Sequence, residues 1–86
     1  MKTLETPQRS NGNIFRQYVK GNNFMTPYLV GYYAITNGEA EVTKGDFLGN
    51  TIYGVTVVQN NHKDDDLSKC CHSMDEVLEY IGELAS

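Results

Sequence analysis

Apolar and polar positions along this chain recur with two different periods, and each period predicts an element. After Pro27, the run YLVGYYAIT over residues 28–36 is dense in aromatic and β-branched side chains, which suits a strand. It closes at Asn37-Gly38, a pair that accepts positive φ at both positions and so predicts a hairpin turn. EAEVTK, residues 39–44, returns as the partner strand, and its charged positions suit a solvated side or a sheet edge. GDFLGN, residues 45–50, reads as a turn with Phe47-Leu48 embedded in it. TIYGVTVVQ, residues 51–59, reads as a third and most apolar strand, and NNHKDDD, residues 60–66, as a polar loop. In LSKCCHS, Leu67, Lys69 and Cys71 alternate with Ser68, Cys70 and His72, the signature of one more short strand. Gly31 and Gly54 interrupt two of these runs and mark bulges or close approaches of the backbone.

From residue 73 the period lengthens. Met74, Val77, Leu78, Ile81 and Leu84 form a helical stripe. Ser73 and Glu76 match a capping box, in which Ser73 accepts from the Glu76 amide and Glu76 reaches back to the Ser73 amide. Near the other end, Ile14, Phe15, Tyr18 and Val19 share one helical face, which predicts a short helix over 13–20, capped by Asn13 and ended at Gly21. Residues 1–12 read as a flexible lead-in, and 13–86 as a single domain. The expected fold class is α+β: a small antiparallel sheet of three to four strands packed by a C-terminal helix, in the order (α)βββ(β)α.

The pattern also raises a problem of cover. Leu29, Tyr33 and Ile35 alternate with Tyr28, Val30, Tyr32 and Ala34, and Tyr53, Val55 and Val57 alternate with Ile52, Thr56 and Val58. A half-solvated sheet would show one polar side, and a single helix shields only one face. The second face therefore meets the 14–20 segment, a second copy of the chain or another protein. Phe15, Tyr18, Phe24 and Phe47 are the side chains available for cover from within.

Composition narrows the function classes. At 86 residues, 40% hydrophobic and 21% charged, the chain is an ordinary folded domain with a thin core. The longest apolar runs are only a few residues and the first twelve residues lack a signal-like apolar core, so a cytoplasmic protein without a membrane span is expected. The net charge of −4 is uneven. Residues 1–63 hold six basic and four acidic side chains, whereas residues 64–86 hold seven acidic ones and only Lys69. Such an acidic third repels a phosphate backbone and suits a basic protein surface. On the last helix Asp75, Glu79 and Glu83 repeat at i, i+4 and i+8 beside Glu76, with no interleaved lysine.

Candidate chemistry is sparse. Cys70, Cys71, His72, His62 and Asp64-Asp65-Asp66 are potential ligands, but no C-x-x-C or H-x-x-x-H spacing occurs, and adjacent cysteines on a strand point to opposite faces. Cys70 with His72 is the one pair that shares a side. No G-x-S-x-G, phosphate-binding loop or dinucleotide fingerprint is present. No catalytic residue, no metal ligand and no cofactor is assigned, and the expectation is a protein that is not an enzyme.

The order of three strands and a helix resembles plant AP2-type and integrase arm-type DNA-binding domains, and α-β-β-β-α resembles the double-stranded-RNA-binding domain. The latter presents lysines where this chain has Met74-Asp75-Glu76, and these strands carry few cations. In size and acidity the chain is similar to accessory proteins of phages and mobile elements. The reading that follows is a small protein-binding module whose partner is another protein or a second copy, with Tyr28, Tyr32, Tyr33, Tyr53, Asp75, Glu79 and Glu83 as contact residues. A nucleic-acid-binding module that uses the sheet and a small metal-binding protein built on Cys70 and His72 are the alternatives.

Overall fold

Strand pairing extends well beyond the apolar runs. The computed structural model describes residues 7–19 and 28–86. Within them the element order is β1 (Arg9–Ser10), α1 (Asn13–Tyr18), β2 (Tyr28–Ile35), β3 (Gly38–Phe47), β4 (Asn50–Gln59), β5 (His62–Cys71) and α2 (Met74–Leu84). The strands form one sheet in the order β1-β2-β3-β4-β5, with every neighbouring pair antiparallel. The α+β class stands, but the sheet has five strands rather than three to four. One addition is β1, in which Arg9 and Ser10 pair with Tyr33 and Tyr32. The other difference is that β5 includes most of the stretch read as a loop.

The turns explain the extra length. Ile35 already pairs with Gly38, so the first turn is Thr36-Asn37, and there only Asn37 has positive φ, at 63°. Gly38 is required for another reason: a Cβ placed on it would lie 1.8 Å from the Val58 carbonyl oxygen. The other two hairpins turn on pairs in which both residues have positive φ, Leu48-Gly49 (54° and 83°) and Asn60-Asn61 (54° and 70°). Both have the left-handed pair that suits two-residue hairpins.

A bulge lets the polar β5 sequence stay in the sheet. Lys69 pairs with Val55 and Asp64 with Val57, so four residues of β5, 65–68, lie opposite Thr56. The Val57 N–H donates instead to Ser68 Oγ at 3.0 Å, and that hydroxyl donates to the Asp64 carbonyl at 2.9 Å. The Asp64 carboxylate accepts from the amides of Asp66 and Leu67 at 3.1 and 3.3 Å. Short polar side chains thus replace the missing ladder bonds. A second register shift falls between Leu29 and Gly31 of β2, where glycine was read as a bulge marker.

One face of the sheet carries α2. Tyr33, Ile35, Ala40, Val42, Val55, Val57 and Cys71 form the core with Val77 and Ile81 of the helix. Each fully buried aliphatic side chain contributes roughly 1.5–3 kcal/mol. Ser73 caps α2 through the Glu76 amide, as expected. Glu76 reaches back one residue further than expected, accepting from the His72 amide at 2.8 Å. At the far end the Thr36 amide donates to the Leu84 carbonyl, so α2 runs from the end of β5 to the β2–β3 turn.

The other face is met by α1, which ends at Tyr18, with Val19 as its C-cap. Gly21, expected to stop it, lies outside the described residues. Gly12 rather than Asn13 is the N-cap; it has a φ of 78° and no side-chain cap. Glu39, buried on β3, supplies the missing acceptor: its carboxylate accepts from the Phe15 amide at 2.7 Å and from the Ser10 hydroxyl. One carboxylate therefore ties β1 and α1 to the sheet. Glu39→Ala is expected to cost about 1–3 kcal/mol, since it leaves a buried donor without a partner. Hydrogen exchange should show the loss first in α1; unchanged protection there would contradict this role.

Candidate interaction surface

The tyrosines expected to share one contact surface are distributed over both faces. Tyr33 is buried in the core with the Arg9 guanidinium 5.6 Å from its ring centre. Tyr32 lies on the opposite face beneath α1, its ring 5.6 Å from that of Phe15 and 5.0 Å from the Arg16 guanidinium, and its hydroxyl donates to Glu41 at 3.2 Å. Tyr53 is half-buried against the α2 core. Of the four, Tyr28 alone is open to water, 69% exposed at the start of β2. Lys69 sits 4.3 Å from the Tyr80 ring. Three cations, Arg9, Arg16 and Lys69, thus lie against aromatic rings of the same chain, an arrangement that favours their retention there.

Asp75, Glu79 and Glu83 are exposed on α2, which has acidic residues in its first turn and no basic residue in its last. Asp65 and Asp66 are exposed on neighbouring β5, where Lys63 pairs with Asp65 at 3.5 Å across open surface. The α2–β5 side is therefore the acidic side of the molecule. Its charge reaches the core: burial pushes the Cys71 thiol up from its usual 9.0, with Glu76 adding to the effect. The Tyr80 hydroxyl is likewise pushed up from 10.0 by burial, then by Glu83, Cys71 and Asp64. The folded chain thus keeps protons that the unfolded chain releases. This stabilisation is complete below about pH 9 and is lost as pH rises through the folded-state values. Urea midpoints should be lower at about pH 10.5 than at about pH 8; a midpoint that held or rose would contradict the assignment.

Cys70 is exposed and Cys71 buried, both as free thiols. His62 and Cys70 belong to opposite ends of β5, paired with Gln59 and Gly54. At about 3.3 Å per residue they are too far apart to share an ion. Among the described residues no three His, Cys, Asp or Glu side chains converge as ligands, and no helix is long and apolar enough to cross a membrane.

The feature that the sequence pattern concealed is a projecting hairpin. β2 begins with Tyr28 opposite Lys44, and β5 ends with Cys71 opposite Tyr53. Residues 45–52 continue beyond both, paired only with each other as Gly45–Ile52, Asp46–Thr51 and Phe47–Asn50. Among the described residues this arm has no flanking strand. The helices fall short of it because eleven residues of α2 span about 16 Å and six of α1 about 9 Å, against about 33 Å for a ten-residue strand.

The arm is apolar. Phe47 is 63% exposed, Leu48 85% and nearby Leu29 42%. By register, Leu29, Gly45, Phe47 and half-buried Ile52 face the side opposite α2. Of the side chains proposed to cover that face, Phe15 is buried against it, Tyr18 and Phe47 are exposed, and Phe24 lies outside the described residues. Between α1 and the arm, Glu41, Thr43 and Thr56 make the face polar, so the reading of a face apolar throughout is corrected.

Leu48 is the exceptional residue of the group. Asn60 occupies the equivalent first position of the β4–β5 turn at the same φ of 54°. Asparagine tolerates that conformation, whereas a leucine there costs roughly 1–2 kcal/mol. The signal was present as Leu48-Gly49 between two strand-forming runs; it was obscured because the flanking GDF and N were assigned to the turn. Comparison with protein-family models, curated proteins and solved structures finds no match.

Proposed function

We propose that this chain is a non-enzymatic module that binds protein, and that the projecting arm makes the contact. The observation that carries the reading is Leu48: among the described residues it is the most exposed of the large apolar side chains, it sits at a backbone position that disfavours it, and no described strand flanks its hairpin. A turn needed only to join β3 to β4 would be better served by asparagine, as at Asn60. Contiguous apolar surface of this kind marks contact sites. The acidic α2–β5 side gives the molecule a charged flank that steers a basic partner and repels nucleic acid. The free thiols of Cys70 and Cys71 suit a reducing compartment such as the cytoplasm.

The test is affinity capture from cell extract with the wild-type chain and with Leu48→Asn, which keeps the turn. Specific retention by the wild type that is lost in the variant supports the reading. Equal retention by both, or by neither combined with a monomeric chain, overturns it. Substituting the sheet tyrosines is a poor test, since Tyr33 is core and Tyr32 anchors α1.

A further inference from the structure

We infer that residues 7–19, which hold β1 and α1, form a strap that opens as one unit while the rest of the fold stays closed. The first observation is a separation of cores. The core under α2 takes its side chains from β2, β3, β4, β5 and α2. Of residues 7–19 only Pro7, Gly12 and Phe15 are buried. Val58, fully buried and paired with Glu39 on the other face, lies outside that core. The strap can therefore leave without opening the packing between α2 and the sheet.

The second observation is that β1 and α1 share one anchor. Ser10 Oγ accepts from the Gly12 amide at 3.2 Å and donates to Glu39, and the other Glu39 oxygen accepts from the Phe15 amide at 2.7 Å. Losing that carboxylate releases both elements together. Neither persists alone: β1 has two residues, and the six of α1 fall short of the ~12–15 that an isolated helix needs. Opening also returns the Glu39 carboxylate to water, where hydration replaces its lost donors.

The third observation is Ala34. It belongs to β2, but its amide donates to the Gln8 carbonyl of the strap at 2.9 Å. Its protection therefore reports on the strap and not on the pairing of β2 with β3. Opening bares the outer edge of β2 from Tyr32 to Ala34, and a bare edge is a template for another strand. The strap is thus a cover that local opening lifts from a strand-pairing edge.

Native-state hydrogen exchange on the whole chain, followed amide by amide, tests this. Inside α1 the Arg16 and Val19 amides donate to the Gly12 and Phe15 carbonyls. Gly12, Phe15, Arg16, Val19 and Ala34 should share one opening equilibrium, at least about tenfold more favourable than that of the β3–β4 ladder. Ile81→Val loosens the core under α2. It should speed exchange in the ladder by roughly two- to tenfold and leave the five amides unchanged, because the open form keeps that core. Glu39→Gln should speed all five by at least about tenfold.

An Ala34 amide that exchanges with the ladder overturns the inference. So do five amides that Ile81→Val speeds as much as the ladder, since the strap would then open only when the whole fold does. A Glu39→Gln variant that leaves the five unchanged overturns it as well. The arm enters none of these readings, so the outcome is independent of whether the arm binds protein.

Discussion

Gly38→Ala is expected to destabilise the fold by about 3 kcal/mol or more, at the upper end for overpacking, because the added methyl group meets backbone rather than a movable side chain. A Cβ there would lie 1.8 Å from the Val58 carbonyl oxygen, 2.8 Å from its carbon and 3.0 Å from Gln59 Cα. None of these atoms can retreat without breaking the β3–β4 ladder, in which Gly38 opposes Gln59 and Glu39 opposes Val58. The damage spreads to α1, since Glu39 is the next residue and holds the Phe15 amide. Thermal unfolding should show a midpoint lowered by at least ~12 °C. Gly82→Ala is the matching control: nothing lies within 4 Å of its Cβ position in α2, so alanine should raise stability by up to about 1 kcal/mol. If both variants behave alike, the close approach at Gly38 is not what constrains this corner of the sheet.

Ile81→Ala is the second large effect. Ile81 is fully buried and, among the described residues, is the largest of the wholly enclosed side chains. It joins α2 to Val42, Val55 and Val57 on the central strands. Truncation removes three carbons from a site walled by β-sheet on one side and the helix backbone on the other, so little collapse can fill the gap. The cost should be about 2–5 kcal/mol. Urea denaturation should show a lower midpoint with an unchanged slope. A loss under about 1 kcal/mol would mean that α2 is held mainly by its ends, through the Ser73 cap and the Thr36–Leu84 bond, and only weakly by its apolar stripe.

What could be read from the sequence was what depends on apolar period. The α2 stripe, the Ser73 cap and the apolar strands β2 and β4 all follow from spacing alone. The strands that escaped notice are polar: β5 presents His62-Lys63-Asp64-Asp65-Asp66, whose place in the sheet depends on partners from β4 and on a bulge mended by Ser68. Register across strands is likewise invisible in a linear pattern, and register decides the contact surface. It carries Phe47 and Leu48 past the ends of β2 and β5. The acidic residues were located correctly on the outside of α2 because their helical spacing fixes them there. Glu39 is the opposite case, an acid on a strand that looked solvated, buried because α1 lacks a side-chain cap of its own.

The outer rim of β5 has a consequence for how these molecules behave when crowded. Among the described residues no strand pairs with the outer side of this ten-residue element, the kind of border on which foreign strands seed cross-β growth. The four-residue bulge bends that border, and Lys63, Asp65, Asp66 and Lys69 stud it with ions that a docking strand would have to dehydrate. Edge-to-edge stacking is thereby blocked, so the protein can display a greasy finger at one end without inviting fibrils along its side.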